Sequence, residues 1–379
     1  MTRQRTAGSK PVIAVAANDS RTIVNYRGGL IAALQKAGFT VVAMSADGPE
    51  VRAIRDMGVE HVTIPVSPRG KSPVADLRTL AIYYWRLKAL RPAAFLGFTI
   101  KPNIYGSIAA HALGIKVINN ITGLGAVFAR RTGLTHLVTL LYRRALRRSA
   151  TVFFQNREDL ALFRQMNLVG EEQARLLPGS GVDLSRFAPR PRKSGQPFTF
   201  LFAARLLWDK GVGEYVEAAR RVLGDRGDVR FPILGIVEPP GRLAVPEDKL
   251  RQWEGEGLIR YLGATSDVRD AFAEADCVVL PSYYREGVPR VLLEASSMAI
   301  PIITTDTSGC RDAVEDGVTG FLCTPRDVDS LVATIERMLH LSSTERQAMG
   351  RAARSKMERE FREEIVHRAY LEALAKPDV

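Results

Sequence analysis

Four charged side chains in the second half of the chain have the types and spacing to handle one kind of ligand. The segment Arg205-Leu-Leu-Trp-Asp-Lys210-Gly211 carries two cations beside a glycine. An apolar run (198–206) leads into it and a helical pattern (213–224) follows, so both cations fall at the carboxyl end of a strand. Two positive charges next to a residue that lets the backbone approach closely suit a diphosphate. The same pair reads equally as two solvated surface cations. The segment Glu286-Gly-Val-Pro-Arg-Val-Leu-Leu-Glu294 is the second feature. Pro289 suits the first turn of a helix, and a helix start behind Gly287 offers free N–H groups and a positive dipole end to phosphate. Glu286 is expected in the loop and Glu294 inside the helix, and carboxylates accept hydrogen bonds from sugar and ribose hydroxyls. Taken alone, the two are a helix-cap acid and a surface acid.

Two glycine-bearing stretches accompany them. In TTDTSGCRDAVEDGVTGFL (304–322), Ser308-Gly309, Asp316-Gly317 and Thr319-Gly320 are turn signals. PGSGVDLSRF (178–187) places glycines where the first half ends. Either stretch could be plain loop chemistry.

These positions need elements to hold them. Apolar runs alternate with helical patterns in both halves, which predicts parallel sheets. Strands are expected at 11–17, 40–46, 93–98, 116–121 and 151–156, then at 198–206, 228–235, 259–263, 277–282 and 301–306. Helices are expected at 28–38, 213–224, 267–275, 290–299 and 327–339. The stretch 189–197, rich in Pro and charge, reads as the break. The expected division is therefore 1–190, 191–355 and a long amphipathic helix in 356–379. The 379 residues are too many for one ordinary core, and the composition, 46% hydrophobic and 25% charged, is that of a globular protein. Cys277, Cys310 and Cys323 form no CxxC and read as reduced, buried thiols of a cytosolic protein. The short run VIAVAA near the start reads as a buried strand, not a signal peptide, and no apolar run reaches the ~18 residues that span a bilayer.

The net charge of +12 is unevenly spread. Residues 1–190 carry +16 and the rest −4, and no acid occurs between Asp76 and Glu158 while 13 Lys and Arg do. An anionic membrane, an anionic substrate or nucleic acid could each account for that. Within it, residues 128–148 place Leu134, Leu137, Val138, Leu141 and Ala145 at helical spacing, flanked by Arg130, Arg131, Arg143, Arg144, Arg147 and Arg148. A helix lying on an anionic leaflet fits, each cation near the surface adding about 1 kcal/mol. A core-packed helix with a solvated basic face is the other reading.

Together, FAARLLWDKG, EGVPRVLLEA, TSGCRDAVEDGVTGFL and PGSGVDLSRF resemble glycosyltransferase family 4, and the resemblance runs through nearly the whole chain. It implies an α/β architecture of the GT-B type: two Rossmann-like doubly wound domains facing a cleft, with the C-terminal helix crossing back to the first. It implies that Arg205 and Lys210 bind the donor diphosphate and stabilise it as leaving group. It implies that Glu286 holds the donor sugar, that Glu294 takes the ribose hydroxyls, and that Gly287, Val288 and Pro289 contribute backbone. NYRGGL (25–30), GFTIKPNIYG (97–106) and NNITGLGAVF (119–128) resemble a bacterial branch. That branch adds N-acetylhexosamine, including N-acetylgalactosamine, and related sugars to polyprenyl-diphosphate-linked acceptors. The acceptor-side candidates are then Lys101, Asn103, Thr122, Gly123 and Gly125. Many family members carry a histidine where Lys101 and Asn103 stand here.

The expected activity is a retaining hexosyl transfer from a UDP-sugar to a polyprenyl-diphosphate-linked saccharide in polysaccharide synthesis. Peripheral attachment to the cytoplasmic face of the inner membrane goes with it. Departure of a nucleoside diphosphate makes negative charge that Arg205 and Lys210 can stabilise, so no metal or other cofactor is expected. The five histidines are scattered without ligand spacing. The rival readings are a GT-B UDP-sugar epimerase and a basic nucleic-acid-binding protein. The latter rests on a pI near 9.8 with no RNP, zinc-finger or helix-turn-helix signature.

Overall fold

The computed structural model describes residues 10–66, 72–123, 133–191, 196–224 and 226–377. The chain forms two compact units. The first runs to Ser180 and regains the chain at Glu363; the second is Gly181–Arg362.

Unit 1 holds β1 (Val12–Asp19), β2 (Thr40–Ala46), β3 (Glu60–Thr63), β4 (Ala94–Gly97), β5 (Lys116–Ile121), β6 (Thr151–Phe154) and β7 (Ala174–Leu176). They form one parallel sheet in the order β3-β2-β1-β4-β5-β6-β7, which reverses direction between β1 and β4. Alternate residues of β1 serve opposite faces. Ile13, Val15 and Ala17 pack with the helices Ser20–Lys36 and Glu363–Ala375, whereas Ala14 and Ala16 pack with Tyr83 and Leu87 of the helix Pro73–Leu90. Burial on both faces is why these strands read as unbroken apolar runs. The second face also carries a π-helical turn, Pro102–Gly106, running on into the helix Ser107–Ala112, and then the helix Gly133–Leu146.

Unit 2 holds β8 (Phe198–Ala203), β9 (Val229–Arg230), β10 (Pro232–Leu234), β11 (Arg260–Tyr261), β12 (Cys277–Leu280), β13 (Ile302–Thr305) and β14 (Gly320–Cys323). Their order is β11-β10-β8-β12-β13-β14, with β9 paired to β8, and the reversal lies between β8 and β12. One apolar core fills the unit. Cys277, Cys310 and Cys323 are free and buried in it.

Three expectations are corrected. The first helix begins at Ser20, not residue 28, because Asp19 caps it by accepting from the Thr22 N–H at 2.8 Å. Gly29 sits mid-helix, where a Cβ would meet the ends of the Glu363 and His367 side chains of the last helix. The division falls after Ser180, ahead of the 189–197 stretch, because Val182 and Phe187 already belong to the unit 2 core. The helix expected in 356–374 is two, Ser343–Glu360 and Glu363–Ala375. Phe361 is buried in unit 2 between them, and its carbonyl accepts from the Val182 N–H at 2.9 Å. The entry and exit segments of unit 2 thus pair with each other, and the last helix closes unit 1.

Tyr370 is the key residue of that closing helix. It is fully buried, its ring lies 4.8 Å from that of Phe153, and its hydroxyl accepts from Asn120 Nδ2 at 2.8 Å. Tyr370→Ala should destabilise unit 1 by about 3–5 kcal/mol, and Tyr370→Phe, which removes one hydrogen bond, by about 1 kcal/mol. Urea titrations followed by circular dichroism would check this ranking; an Ala variant unfolding at the wild-type midpoint would contradict it.

Candidate functional site

The reversal between β8 and β12 brings three loops together at neighbouring carboxyl ends, where open α/β sheets bind ligands. β8 leads to Arg205 and to a 3₁₀ turn, Trp208–Lys210, that ends on Gly211 at φ 81°. β12 leads to residues 281–286, and β13 to 306–309. The first two loops are joined through backbone: the Tyr283 N–H donates to the Asp209 carbonyl at 3.1 Å, and Ser282 Oγ donates to it at 3.3 Å. Thr305 Oγ1 donates to the Ser282 carbonyl and ties in the third.

Lys210 and Glu286 meet there. Lys210 Nζ lies 2.6 Å from both carboxylate oxygens of Glu286, and Ser282 Oγ donates to Glu286 Oε1 at 3.0 Å. The pair is mostly buried, its side chains 10% and 19% exposed. Tyr284 lines the ammonium, its ring centre 5.6 Å away. Arg205 is half-exposed, with Nη1 3.6 Å from Glu238 Oε1. Asp209 is buried beside the pair, and its Oδ1 has no hydrogen-bond partner. Burial pushes its carboxyl above the ordinary range; Lys210 opposes that and Glu286 adds to it.

Gly287, Val288 and Pro289 are buried, and Pro289 is the cap of the helix Arg290–Ser297. Glu294 lies inside that helix, half-buried, with Arg290 Nε donating to its Oε1 at 2.7 Å. Burial raises the Glu294 carboxyl, while Arg290 and, farther off, Arg186 pull it down and Asp267 pushes it up. Arg186 comes from the PGSGVDLSRF stretch, so that stretch bears on this site. The sequence reading missed Asp209, Ser282, Tyr284 and Arg290. The i, i+4 spacing of Arg290 and Glu294 was the available signal for the last. It also passed over an Asp-x-Asp triplet, Asp327-Val328-Asp329. In the structure Asp327 caps the helix Val328–His340 by accepting from the Ser330 N–H, and Asp329 pairs with Arg221. A cavity of about 770 Å³ in unit 2 is lined by Thr199, Val229, Arg230 and Ile259 at the amino ends of the strands, the opposite end from Lys210.

The unit 1 candidates separate. Lys101 is 8% exposed, and its Nζ donates to Asp76 Oδ1 at 2.7 Å, while the Tyr105 hydroxyl donates to Asp76 Oδ2 at 2.9 Å. Asp76, the acid before the long acid-free run, was not singled out. Asn103 is 1% exposed and committed inward: it donates to the Asn120 carbonyl and accepts from Asn119 Nδ2, both at 2.9 Å. It therefore braces β5 and offers no free amide. Thr122 Oγ1 donates to the Phe98 carbonyl at 3.2 Å, and Gly123 has φ 130°. At the sheet reversal the Asn18 N–H donates to Thr99 Oγ1 at 2.8 Å, and Asn18 Oδ1 is buried without a partner. Gly125, Arg130 and Arg131 lie outside the described residues.

The helix Gly133–Leu146 corrects one expectation. Val138 and Ala145 are buried and Leu141 is half-buried, so the stripe read as membrane-facing mostly faces the core. Leu137 of the stripe and Leu140 beside it point out, on the side of the exposed Arg143 and Arg144, with Arg147 and Arg148 also exposed just beyond the helix.

Comparison with known proteins agrees with this geometry. Residues 185–356 match the family described as glycosyl transferases group 1, and residues 21–180 match the glycosyl transferase 4-like domain. The chain is 25% identical over 367 residues to the N,N'-diacetylbacillosaminyl-diphospho-undecaprenol alpha-1,3-N-acetylgalactosaminyltransferase of Campylobacter jejuni, covering 92% of this chain and 94% of that one. It is 25% identical over 296 residues to the UDP-Gal:alpha-D-GlcNAc-diphosphoundecaprenol alpha-1,3-galactosyltransferase of Escherichia coli, covering 75% and 76%. Among solved structures, Anabaena HepE in complex with UDP and glucose superposes with a TM-score of 0.79 at 17% identity, covering 96% of this chain and 99% of that one.

The Arg290–Glu294 pair has a pH signature. Arg290→Leu leaves a largely buried carboxylate without its partner, which should cost about 1–3 kcal/mol at neutral pH. Glu294 already titrates above its ordinary 4.5, and loss of Arg290 raises it further. A carboxyl raised in the folded state weakens folding while ionised and stops doing so once protonated. The deficit should therefore be largest near pH 7.5 and shrink as pH falls toward 5. Melting temperatures of both proteins across that range would show it; a gap that widens in acid would contradict it.

Proposed function

Because the chain is a glycosyltransferase with the GT-B fold, a glycosyl transferase 4-like domain followed by a group 1 domain, we propose a specific transfer for it. It moves an N-acetylhexosamine or related hexose from a UDP-sugar to a polyprenyl-diphosphate-linked saccharide in bacterial polysaccharide synthesis. The transfer retains configuration and uses no metal. The observation that carries this reading is the contact of Lys210 with Glu286 beside Arg205, at the carboxyl ends of β8 and β12.

Lys210 and Arg205 take the donor diphosphate and stabilise the charge it gains as the bond to the anomeric carbon breaks. Glu286 accepts hydrogen bonds from donor-sugar hydroxyls and Glu294 from the ribose. The acceptor hydroxyl attacks from the face that the diphosphate leaves, and its proton passes to the departing phosphate oxygen. Glu286 is a poor candidate for nucleophile or base, since Lys210 and Ser282 already engage its oxygens. Two relatives are named for acceptors with diphosphoundecaprenol, and one for a UDP-sugar donor, which supports the same substrate classes here. Among the described residues no helix is long and apolar enough to cross a membrane. Arg143, Arg144, Arg147 and Arg148 are exposed, so an anionic membrane surface is the proposed meeting place with a lipid-linked acceptor. Transfer fits these features better than epimerisation, and no nucleic-acid role is proposed.

Thermal stabilisation by UDP-, GDP- and dTDP-sugars, followed by transfer to polyprenyl-diphosphate saccharides, tests the reading. UDP-sugars should stabilise most, EDTA should leave the rate unchanged, and NMR should find the donor's anomeric configuration in the product. Arg205→Ala should lower kcat by about 10²–10³-fold. Undiminished turnover in that variant, or a strict need for a divalent cation, would overturn it.

A further inference from the structure

Large apolar side chains that stay in water on a folded domain are concentrated in one place on this one. Among the described residues, those more than half exposed are Val74 (77%), Leu77 (66%), Trp85 (62%), Leu140 (58%) and Leu137 (53%). All five lie on two helices, Pro73–Leu90 and Gly133–Leu146. Both pack against the helical segment 102–112, over adjoining apolar clusters on the same face of the unit 1 sheet. Scattered exposed leucines need no explanation, but a grouped set on one face does.

The helix Pro73–Leu90 has its apolar stripe on the side away from the domain. At about 100° per residue, Val74, Leu77, Ala81 and Trp85 fall within an arc of roughly 80°, opposite the buried ridge of Thr79, Tyr83 and Leu87. Arg78 borders the stripe, and Lys88 lies within its arc with Nζ 5.0 Å from the Trp85 ring. Asp76 is the one acid in the two helices, and it is engaged by Lys101 and Tyr105. On Gly133–Leu146 the exposed leucines share their side with Arg144, and Arg147 is exposed just past the helix end. Outward apolar groups, a tryptophan and exposed cations together match the headgroup region of an anionic bilayer. A protein partner would have to present a matching apolar and acidic groove, for which the exposed stripe offers no specific shape.

We propose that these two helices form a membrane-docking face, with Val74, Leu77 and Trp85 inserted at the headgroup level and the arginines of both helices bound to lipid phosphates. This deepens the membrane reading above, which rested on residues 128–148 alone. It moves the inserting element to Pro73–Leu90.

Trp85 supplies its own probe, because Trp253 is buried and Trp208 partly so. The full chain would be mixed with phosphatidylcholine vesicles, with and without about one-third phosphatidylglycerol, some carrying brominated chains. The expected result is quenching of tryptophan emission on the anionic brominated vesicles, absent in Trp85→Phe. Leu77→Ser with Trp85→Ser should lower partitioning about tenfold or more while a short-chain, water-soluble acceptor analogue is still glycosylated at the wild-type rate. Arg144→Gln with Arg147→Gln should remove the preference for phosphatidylglycerol. No quenching on anionic vesicles, wild-type partitioning by the Leu77/Trp85 variant, or self-association in place of vesicle binding would overturn the proposal. Vesicle binding without transfer to any polyprenyl or soluble acceptor would sink the reaction proposed above and leave the docking face standing.

Discussion

A Cβ placed on Gly211 would stand 2.2 Å from the Pro281 carbonyl oxygen, and one on Gly309 would stand 2.2 Å from that of Gly287. Neither residue can be anything but glycine without moving main chain, and both also adopt positive φ. These two approaches clamp the loops after β8, β12 and β13 backbone to backbone. The position of Lys210 against Glu286 follows from the first, and the setting of Gly287 and the start of the helix Arg290–Ser297 follows from the second. Side chains then refine what the main chain has fixed, through Ser282 and Thr305.

The charges at this site are arranged as mutual restraints. Lys210 holds Glu286, Arg290 holds Glu294, and the more exposed Arg205 is in loose contact with Glu238. Burying carboxylates costs free energy that a neighbouring cation partly offsets. Asp209, with no hydrogen bond to its Oδ1, remains the least compensated of them. Unit 1 solves a similar problem differently: Asp76 sits between Lys101 and Tyr105, and a lattice of amides around Asn103, Asn119 and Asn120 replaces charge with hydrogen bonds.

Much of this was legible in the sequence, for physical reasons. Strands buried on both faces announce themselves as apolar runs, so β1, β2, β8 and β12 were read close to where they lie. Edge strands do not: β3, β7 and β14 each end a sheet, EHVT and ARL offer no apolar run, and β14 was taken as part of a turn. Arg205, Lys210, Glu286 and Glu294 could be singled out as candidates because their chemistry is local to two segments. Asp209 looked like one more loop acid, since burial depends on distant packing. Asn103 misled in the other direction, because an amide in a striking motif can serve the fold. Gly28 and Gly29 suggested a helix start, yet both lie inside the helix Ser20–Lys36, and Gly29 faces Glu363 and His367, more than 330 residues later in sequence.

That late helix has a bearing on how the protein is made. Unit 1 is begun first, but Glu363–Ala375 emerges from the ribosome only after all of unit 2. At synthesis rates of about 5–20 residues per second, the intervening segment takes roughly ten to forty seconds to make. Throughout that interval the side of β1, β4 and β6 that Tyr370 and Val366 will cover stands open to solvent. The unit that starts earliest is therefore the last to become self-sufficient, and the nascent chain passes through a period in which one finished domain is tethered to an oily, incomplete one.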